Sequence, residues 1–366
     1  MNTDQPAIEE ENIEGLGKDE DSAWGDYPID TLLIRNENRT VHDVLRRIEK
    51  GSYIMDPDFQ REFIWPDDKQ CKLIESVLMR IPLPVFYLAE DKKGRMVVVD
   101  GLQRLSTFNR FVNNELQLKI PGQDDLYGKR FRDLSPKLQN RVEDCNLILY
   151  VIDAKVPERA KLDIFERVNS GMPLTRQQMR NCLYMGKATL FLKTEARTDL
   201  FKRTTGNSLN VASMRDREFI NRFCAFQLLS VDEYKGDMDD FLSKALLKMN
   251  LLTENELEKL SADFRTSLAN NYKVFGSHAF RKSSNQQPRS LLNASLWDVM
   301  STGLSRFPEN LVEARAEILK NALVKLMNNE TFKNSISYGT NALKKVKDRF
   351  SATQMMLKEV FNAEQN

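Results

Sequence analysis

The 366-residue sequence predicts an α+β protein: an N-terminal α/β domain over residues 30–186, then an all-helical domain over residues 187–366. Three observations carry this. Runs rich in β-branched and aromatic residues (PVFYLAE, RMVVVD, NLILYVID) fall only in the first half, between helical patterns. Beyond about residue 187 strand signals vanish and apolar residues recur every three or four positions. Residues 1–29 are acidic and poor in apolar side chains, the composition of a disordered tail.

Order is expected to begin near TLLIRNENRT. VHDVLRRIEKG reads as a helix with Thr40 as N-cap, Val41, Val44, Leu45 and Ile48 on one face, and Gly51 as stop. A short strand, YIM, precedes DPDFQREFIWP. DDKQCKLIESVLMR is the next helix, capped by Asp67 or Asp68, with Leu73, Ile74, Val77, Leu78 and Ile81 as its inner stripe. PVFYLAE and RMVVVD, joined by the turn-forming DKKG, form a hairpin that delivers Asp100 to the sheet edge.

Leu102, Leu105, Phe108, Phe111 and Val112 then mark a helix packed on that hairpin, with Gln103 and Arg104 in its first turn, off the inner face. After the loop IPGQDDLYGKRF come a short helix, SPKLQNRVED, and the strand NLILYVID. Pro157 opens the helix ERAKLDIFERVNS, which Gly171 ends. Thr175 and Gln178 form a capping box for RQQMRNCLYMG. The second half reads as REFINRFCAFQLLS, DDFLSKALLKMN, TENELEKLSADFRTSLANNYKVF, SLLNASLWDVMSTGL and LVEARAEILKNALVKLMNN, all helical.

Composition excludes several classes. No stretch approaches the ~18 apolar residues a membrane span needs, and the N-terminus lacks a basic segment followed by an apolar one, so a cytoplasmic protein without membrane contact is expected. Cys71, Cys145, Cys182 and Cys224 are scattered and only His42 and His278 can join them, which suggests neither a zinc cluster nor a disulfide framework. The net charge of +1 hides an asymmetry. Residues 1–30 hold ten acidic side chains against Lys18, a net of −9, so the remainder carries +10. The tail reads either as a solvating leader or as a segment that covers a basic surface of its own body. RKSSNQQPRS and NALKKVKDRF are basic; solvated surface is the plain reading, phosphate contact the sharper one.

The stretch MVVVDGLQRLSTF concentrates chemistry. A strand that ends in Asp-Gly and feeds a helix brings unpaired N–H groups and the positive end of the helix dipole to one point, where a phosphate can sit. Gly101 gives close backbone approach, Arg104 a bidentate charge-assisted hydrogen bond, and Gln103 a donor or acceptor. Asp100 repels phosphate unless a metal or proton intervenes, which points to a Mg²⁺ ligand or a base that orients water. The bland alternatives are an ordinary turn, an Asp100 helix cap and a structural ion pair for Arg104. In FQREFIWP, Gln60, Arg61, Phe63 and Trp65 suit stacking on a base and contacting its phosphates, or plain core for the aromatics. In IFERVNSGMPLT, Arg167 and Asn169 stand at a helix end beside Gly171, where Asn169 also suits a local cap.

Taken together, DPDFQREFIWPDDKQCKLIESVLMRIPLPVFYLAED, VVVDGLQRLSTF and IFERVNSGMPLTRQQMRN resemble the N-terminal domain of GmrSD-type modification-dependent restriction systems, a branch of the ParB/sulfiredoxin-like superfamily. The resemblance is strong over about residues 30–185 and weaker through MRDREFINRFCAFQLL and RSLLNASLWDVM. It implies a ParB/sulfiredoxin-like domain that binds, and hydrolyses, a nucleoside triphosphate with Mg²⁺ in defence against foreign, modified DNA. Carried over, the QR pair is Gln60 and Arg61; the DGxQR signature is Asp100, Gly101, Gln103 and Arg104; the N-x-G element is Asn169 and Gly171. Asp100 and Arg104 are then the catalytic candidates, and Gln60, Arg61, Trp65, Gly101, Gln103 and Asn169 the nucleotide contacts.

Relatives commonly read DGQQR where this chain has Leu102, and often carry an acid where it has Gln178. Larger members add a His-Asn-His nuclease; with only His42 and His278 here, cutting falls to a partner nuclease, with a helicase another candidate partner and DNA a candidate ligand of the helical half. Two other readings stand beside this one: a non-enzymatic DNA- or protein-binding assembly module, and a nuclease acting through carboxylates such as Asp100. The sequence leaves the oligomeric state open, a homo-oligomer included.

Overall fold

The computed structural model describes residues 13–16, 33–55, 65–91, 93–120, 122–123, 125–168, 175–282 and 290–361. They fall in two compact units, one within Trp24–Met185 and the other comprising Gly186–Asn366 with Met1–Ala23. The architecture is α+β, a mixed sheet with helices in the first and helices throughout the second.

Strand β1 (Ile13–Glu14) lies in the helical unit; the sheet of the α/β unit contains β2 (Ile34–Thr40), β3 (Tyr53–Ile54), β4 (Phe86–Glu90), β5 (Met96–Asp100) and β6 (Asn146–Ile152) in the order β2-β6-β4-β5-β3. The expected hairpin is β4–β5, antiparallel; β2 runs antiparallel to β6, while β6–β4 and β5–β3 are parallel. Side chains alternate across the sheet, as the pleat requires. Leu88, Val98, Leu149 and Val151 join the main core beneath α1 (Val41–Glu49), α2 (Asp67–Leu78), α3 (Leu102–Val112) and α4 (Pro136–Glu143). Ala89, Val99 and Ile152 meet Ala160, Leu162 and Phe165 of α5 (Glu158–Val168) and Met179 of α6 (Arg176–Leu183) on the other face.

The caps explain where the helices start. Thr40 Oγ1 accepts from Asp43 N at 3.2 Å, and Thr175 and Gln178 form the expected reciprocal box, with Gln178 N to Thr175 Oγ1 at 3.2 Å and Thr175 N to Gln178 Oε1 at 2.7 Å. Two expectations are corrected. Neither Asp67 nor Asp68 caps α2: Pro66 holds the N-cap position with no side-chain bond, and both acids lie in the first turn. Ile81 is outside the inner stripe and exposed, because α2 stops at Leu78. The Gly171 stop falls outside the described residues.

In the helical unit Trp297 is fully buried and ringed by Phe201, Phe219, Phe264 and Phe280, and its indole N–H donates to Phe219 O at 2.7 Å. Beside it Asp298 pairs with Arg222 through two bonds of 2.8 and 2.7 Å and with Arg349 at 2.9 Å, all three side chains out of solvent. The helix expected over LVEARAEILKNALVKLMNN is two, Glu309–Ala314 and Ala316–Met327, broken at Arg315. The acidic tail is also not wholly without structure: β1 pairs in parallel with β7 (Leu292–Asn293). The four cysteines are free thiols, three of them buried. Among the described residues no helix is long and apolar enough to cross a membrane.

Candidate functional site

β5 does not run straight into its final residue. Its register with β4 is Ala89↔Val97, then Leu88↔Val98, then Tyr87↔Asp100, so Val99 is an extra residue. An insertion of this kind bends the strand and re-aims the side chain after it. Asp100 is thereby set opposite Tyr87 with its side chain 31% exposed.

Gly101 follows as the N-cap of α3 at φ 96°, ψ 6°, a left-handed conformation that costs an L side chain free energy. A Cβ at this position would lie 2.1 Å from Cδ1 and 2.7 Å from Cε1 of Phe86. The Cβ direction at this position is therefore filled by protein. The space belongs to the Phe86 ring, and the glycine answers to the turn and to that ring.

Arg104 was expected off the buried face of α3, and there too the structure differs: it is only 8% exposed. Its guanidinium lies over the Phe86 ring, 4.1 Å from the centroid. Nη1 donates to Pro84 O, and Nη2 donates to Val85 O at 3.0 Å and to Asp100 Oδ2 at 2.8 Å. Burial pulls its pKa below the ordinary value, against the opposing pull of the Asp100 carboxylate. With these donors engaged, Arg104 is a positioning residue: it ties the start of α3 to the 84–86 segment and fixes one carboxylate oxygen of Asp100. Of the alternatives left open by the sequence, the ion pair forms, and Asp100 does not cap the helix.

Gln103 points elsewhere. Its Oε1 accepts from Trp65 N at 2.9 Å, while its Nε2 is buried without a hydrogen-bond partner among the described residues. Trp65 packs its ring against the main core, its carbonyl accepts from Gln70 Nε2, and Gln70 Oε1 accepts from Arg110 Nη1 at 2.7 Å. The structure thus brings Trp65, Asp100, Gly101, Gln103 and Arg104 to one turn; Gln60, Arg61 and Asn169 lie outside the described residues.

Gly101 has no side chain with which to cap α3, so among the described residues the first-turn amide N–H groups are those a helix leaves unsatisfied at its start. Two aromatics that sequence reading did not single out lie nearby in register. The Tyr87 and Tyr150 rings are 5.5 Å apart at 32°, both half-buried, and Tyr87 faces Asp100 across the hairpin. Burial raises the Tyr87 phenol pKa, and the Asp100 charge adds to the rise. The signal was an aromatic on the outward alternation of FYLAE and NLILYVI. Among the described residues no three His, Cys, Asp or Glu side chains cluster to hold a metal. A cavity of about 580 Å³ in the same unit is lined by Arg80, Lys137, Asn140 and Arg141 among others, with no contribution from the turn.

Compared with families of known proteins, residues 41–185 match the one described as GmrSD restriction endonuclease, N-terminal domain. The match runs from α1 through α6 and contains the whole turn. Among curated proteins, none matches the chain.

Proposed function

We propose, from the match of residues 41–185 to the GmrSD N-terminal domain family, that this protein is the nucleotide-binding component of a restriction-type defence against modified DNA. The observation that carries the nucleotide reading is the start of α3: an uncapped helix end, a buried and unpartnered Gln103 Nε2, and a part-exposed Asp100 carboxylate. A phosphate oxygen satisfies the amide donors and the helix dipole. An orphaned buried donor costs about 1–3 kcal/mol until it finds an acceptor, so a ligand that supplies one is favoured.

The donor set suits a magnesium nucleoside triphosphate. Asp100 would hold the ion, which when bound neutralises phosphate charge and removes the repulsion between carboxylate and ligand. Arg104 keeps Asp100 in a single orientation, and the free carboxylate oxygen is placed to hold a water. Gln103 and the α3 amides bind phosphate; Tyr87 and Tyr150 offer ring faces to a base. In this reading Gln60, Arg61 and Asn169 complete the nucleotide contacts by the family pattern, with Arg61 supplying the cation that the engaged Arg104 does not. The helical half passes the nucleotide state to DNA or to a partner nuclease or helicase.

The engagement of Arg104 also favours a second reading, a switch that binds nucleotide without turning it over, because among the described residues the cation of the turn is already held by Pro84 O, Val85 O and Asp100. Melting curves with each common nucleoside triphosphate, with and without Mg²⁺, test the first part. Occupancy at one hundred times Kd should stabilise by about 2.7 kcal/mol. Phosphate release separates enzyme from switch. Absence of any Mg²⁺-dependent stabilisation across the panel rejects the nucleotide reading.

A further inference from the structure

Lys282 and the segment that leads into the helix Leu343–Phe361, far apart in sequence, meet at the four residues of the acidic tail that the structure describes. β1 pairs in parallel with β7, Ile13 opposite Leu292 and Glu14 opposite Asn293. Glu14 Oε2 lies 3.1 Å from Lys282 Nζ, at the start of the basic loop. Gly15 O accepts from Thr340 Oγ1 at 2.7 Å and Leu16 O from Asn341 Nδ2 at 3.2 Å, where the basic helix Leu343–Phe361 begins.

We infer that this face of the helical unit is a nucleic-acid-binding surface on which the Ile13–Leu16 segment sits as an intramolecular competitor. The chemistry of the seat supports a phosphate chain as the displaced ligand. The side-chain groups that hold the segment are donors, one ammonium, one hydroxyl and one amide, and they meet a carboxylate and two carbonyl oxygens. Phosphodiester oxygens are taken by the same three donor types. Lys344, exposed, and Lys345, half-buried with its ammonium donating to Tyr338 O, stand in the first turn of the adjoining helix and extend the positive charge beyond the seat. The segment itself belongs to a stretch of net charge −9, while the rest of the chain carries +10.

The seat is also weak enough to yield. A two-residue strand pair, one partly exposed ion pair and two neutral hydrogen bonds place it at the low end of local opening free energies. DNA, which gains by releasing counterions for each phosphate neutralised, competes best at low salt. Gly15 is the point of leverage: its φ is +72°, and a Cβ would sit 3.2 Å from Asn293 and Ser295 side-chain atoms.

The test is duplex DNA affinity of the full chain by fluorescence anisotropy, at fixed low salt, with a 30-base-pair probe. Gly15→Pro leaves the net charge unchanged but cannot take the seated backbone conformation. It should bind at least fivefold tighter than the parent, and Lys344→Glu with Lys345→Glu in the same chain should abolish the gain. Glu14→Gln, which keeps the backbone pairing, should give a smaller gain of the same sign and covers the case in which the proline variant misfolds. Unchanged affinity in both variants overturns the inference. So does a gain that survives reversal of the two lysines, or one seen for polyglutamate and not for DNA, which would assign the face to an acidic protein. None of these readouts involves nucleotide, so failure here leaves the turn at 100–104 untouched.

Discussion

Replacing Gly101 by alanine separates the two explanations of why that glycine exists. If the turn and the Phe86 ring demand it, the new Cβ meets two costs in the unliganded protein. One is the left-handed conformation at φ 96°, about 1–2 kcal/mol for an L residue. The other is overpacking against Phe86 Cδ1 at 2.1 Å, typically about 1–3 kcal/mol. Together they give about 2–5 kcal/mol, a large part of the ~5–15 kcal/mol that holds a domain. Urea unfolding of the parent, Gly101→Ala, Phe86→Leu and the double variant reads the coupling directly. The smaller side chain should relieve the steric part, so the double variant should be more stable than the sum of the singles by ~1 kcal/mol or more. Additivity within the ~0.5 kcal/mol usual for independent sites, or a Gly101→Ala loss below 1 kcal/mol, would refute the packing account. It would return the glycine to a role in ligand approach.

Other outcomes follow from the same contacts. Arg104→Lys cannot lie flat on Phe86 while donating to Pro84 O, Val85 O and Asp100, so it should lower the urea midpoint, and Arg104→Ala, which removes the ring contact as well as these bonds, should lower it further. In the helical unit Asp298→Asn leaves Arg222 and Arg349 buried without their carboxylate; a loss of about 3–5 kcal/mol by calorimetry is expected, with the α/β unit's transition unmoved. Burial would raise the Asp43 pKa, but bonds from Arg47 and Arg46 hold it below its ordinary 3.8. A depressed carboxylate contributes stability above its unfolded value and loses it as pH falls through the folded one. Melting temperature should therefore drop on acidification below about pH 4, and less steeply in Asp43→Asn.

Periodicity made the helices and the β4–β5 hairpin legible, because burial of one face leaves a mark every three to four residues or every two. The edge strand IRNENRT carried no such mark. Its inward positions are Arg35, Glu37 and Arg39, and they are satisfied by one another and by Glu90 and Asp43 rather than by a core. The order of the sheet was also hidden, since β6 inserts between β2 and β4 from fifty residues downstream and only tertiary pairing records it. At the turn, the sequence marked Asp100, Gly101, Gln103 and Arg104 as a group but not their division of labour. Arginines are mostly exposed, so nothing local forecast that Arg104 would be stacked on Phe86 and bonded to two carbonyls. The extra residue at Val99 and the Tyr87–Tyr150 pair likewise depend on how strands align, which composition does not encode.

The central claim is that the start of α3, with the free amide of Gln103, receives phosphate while Arg104 serves only to position Asp100. Isothermal titration of the magnesium nucleotide that best stabilises the parent, into the parent and into Gln103→Ala of equal melting temperature, puts it to the test. The account predicts at least a tenfold weaker Kd for the variant, about 1.4 kcal/mol. An unchanged Kd in a correctly folded Gln103→Ala protein would contradict it.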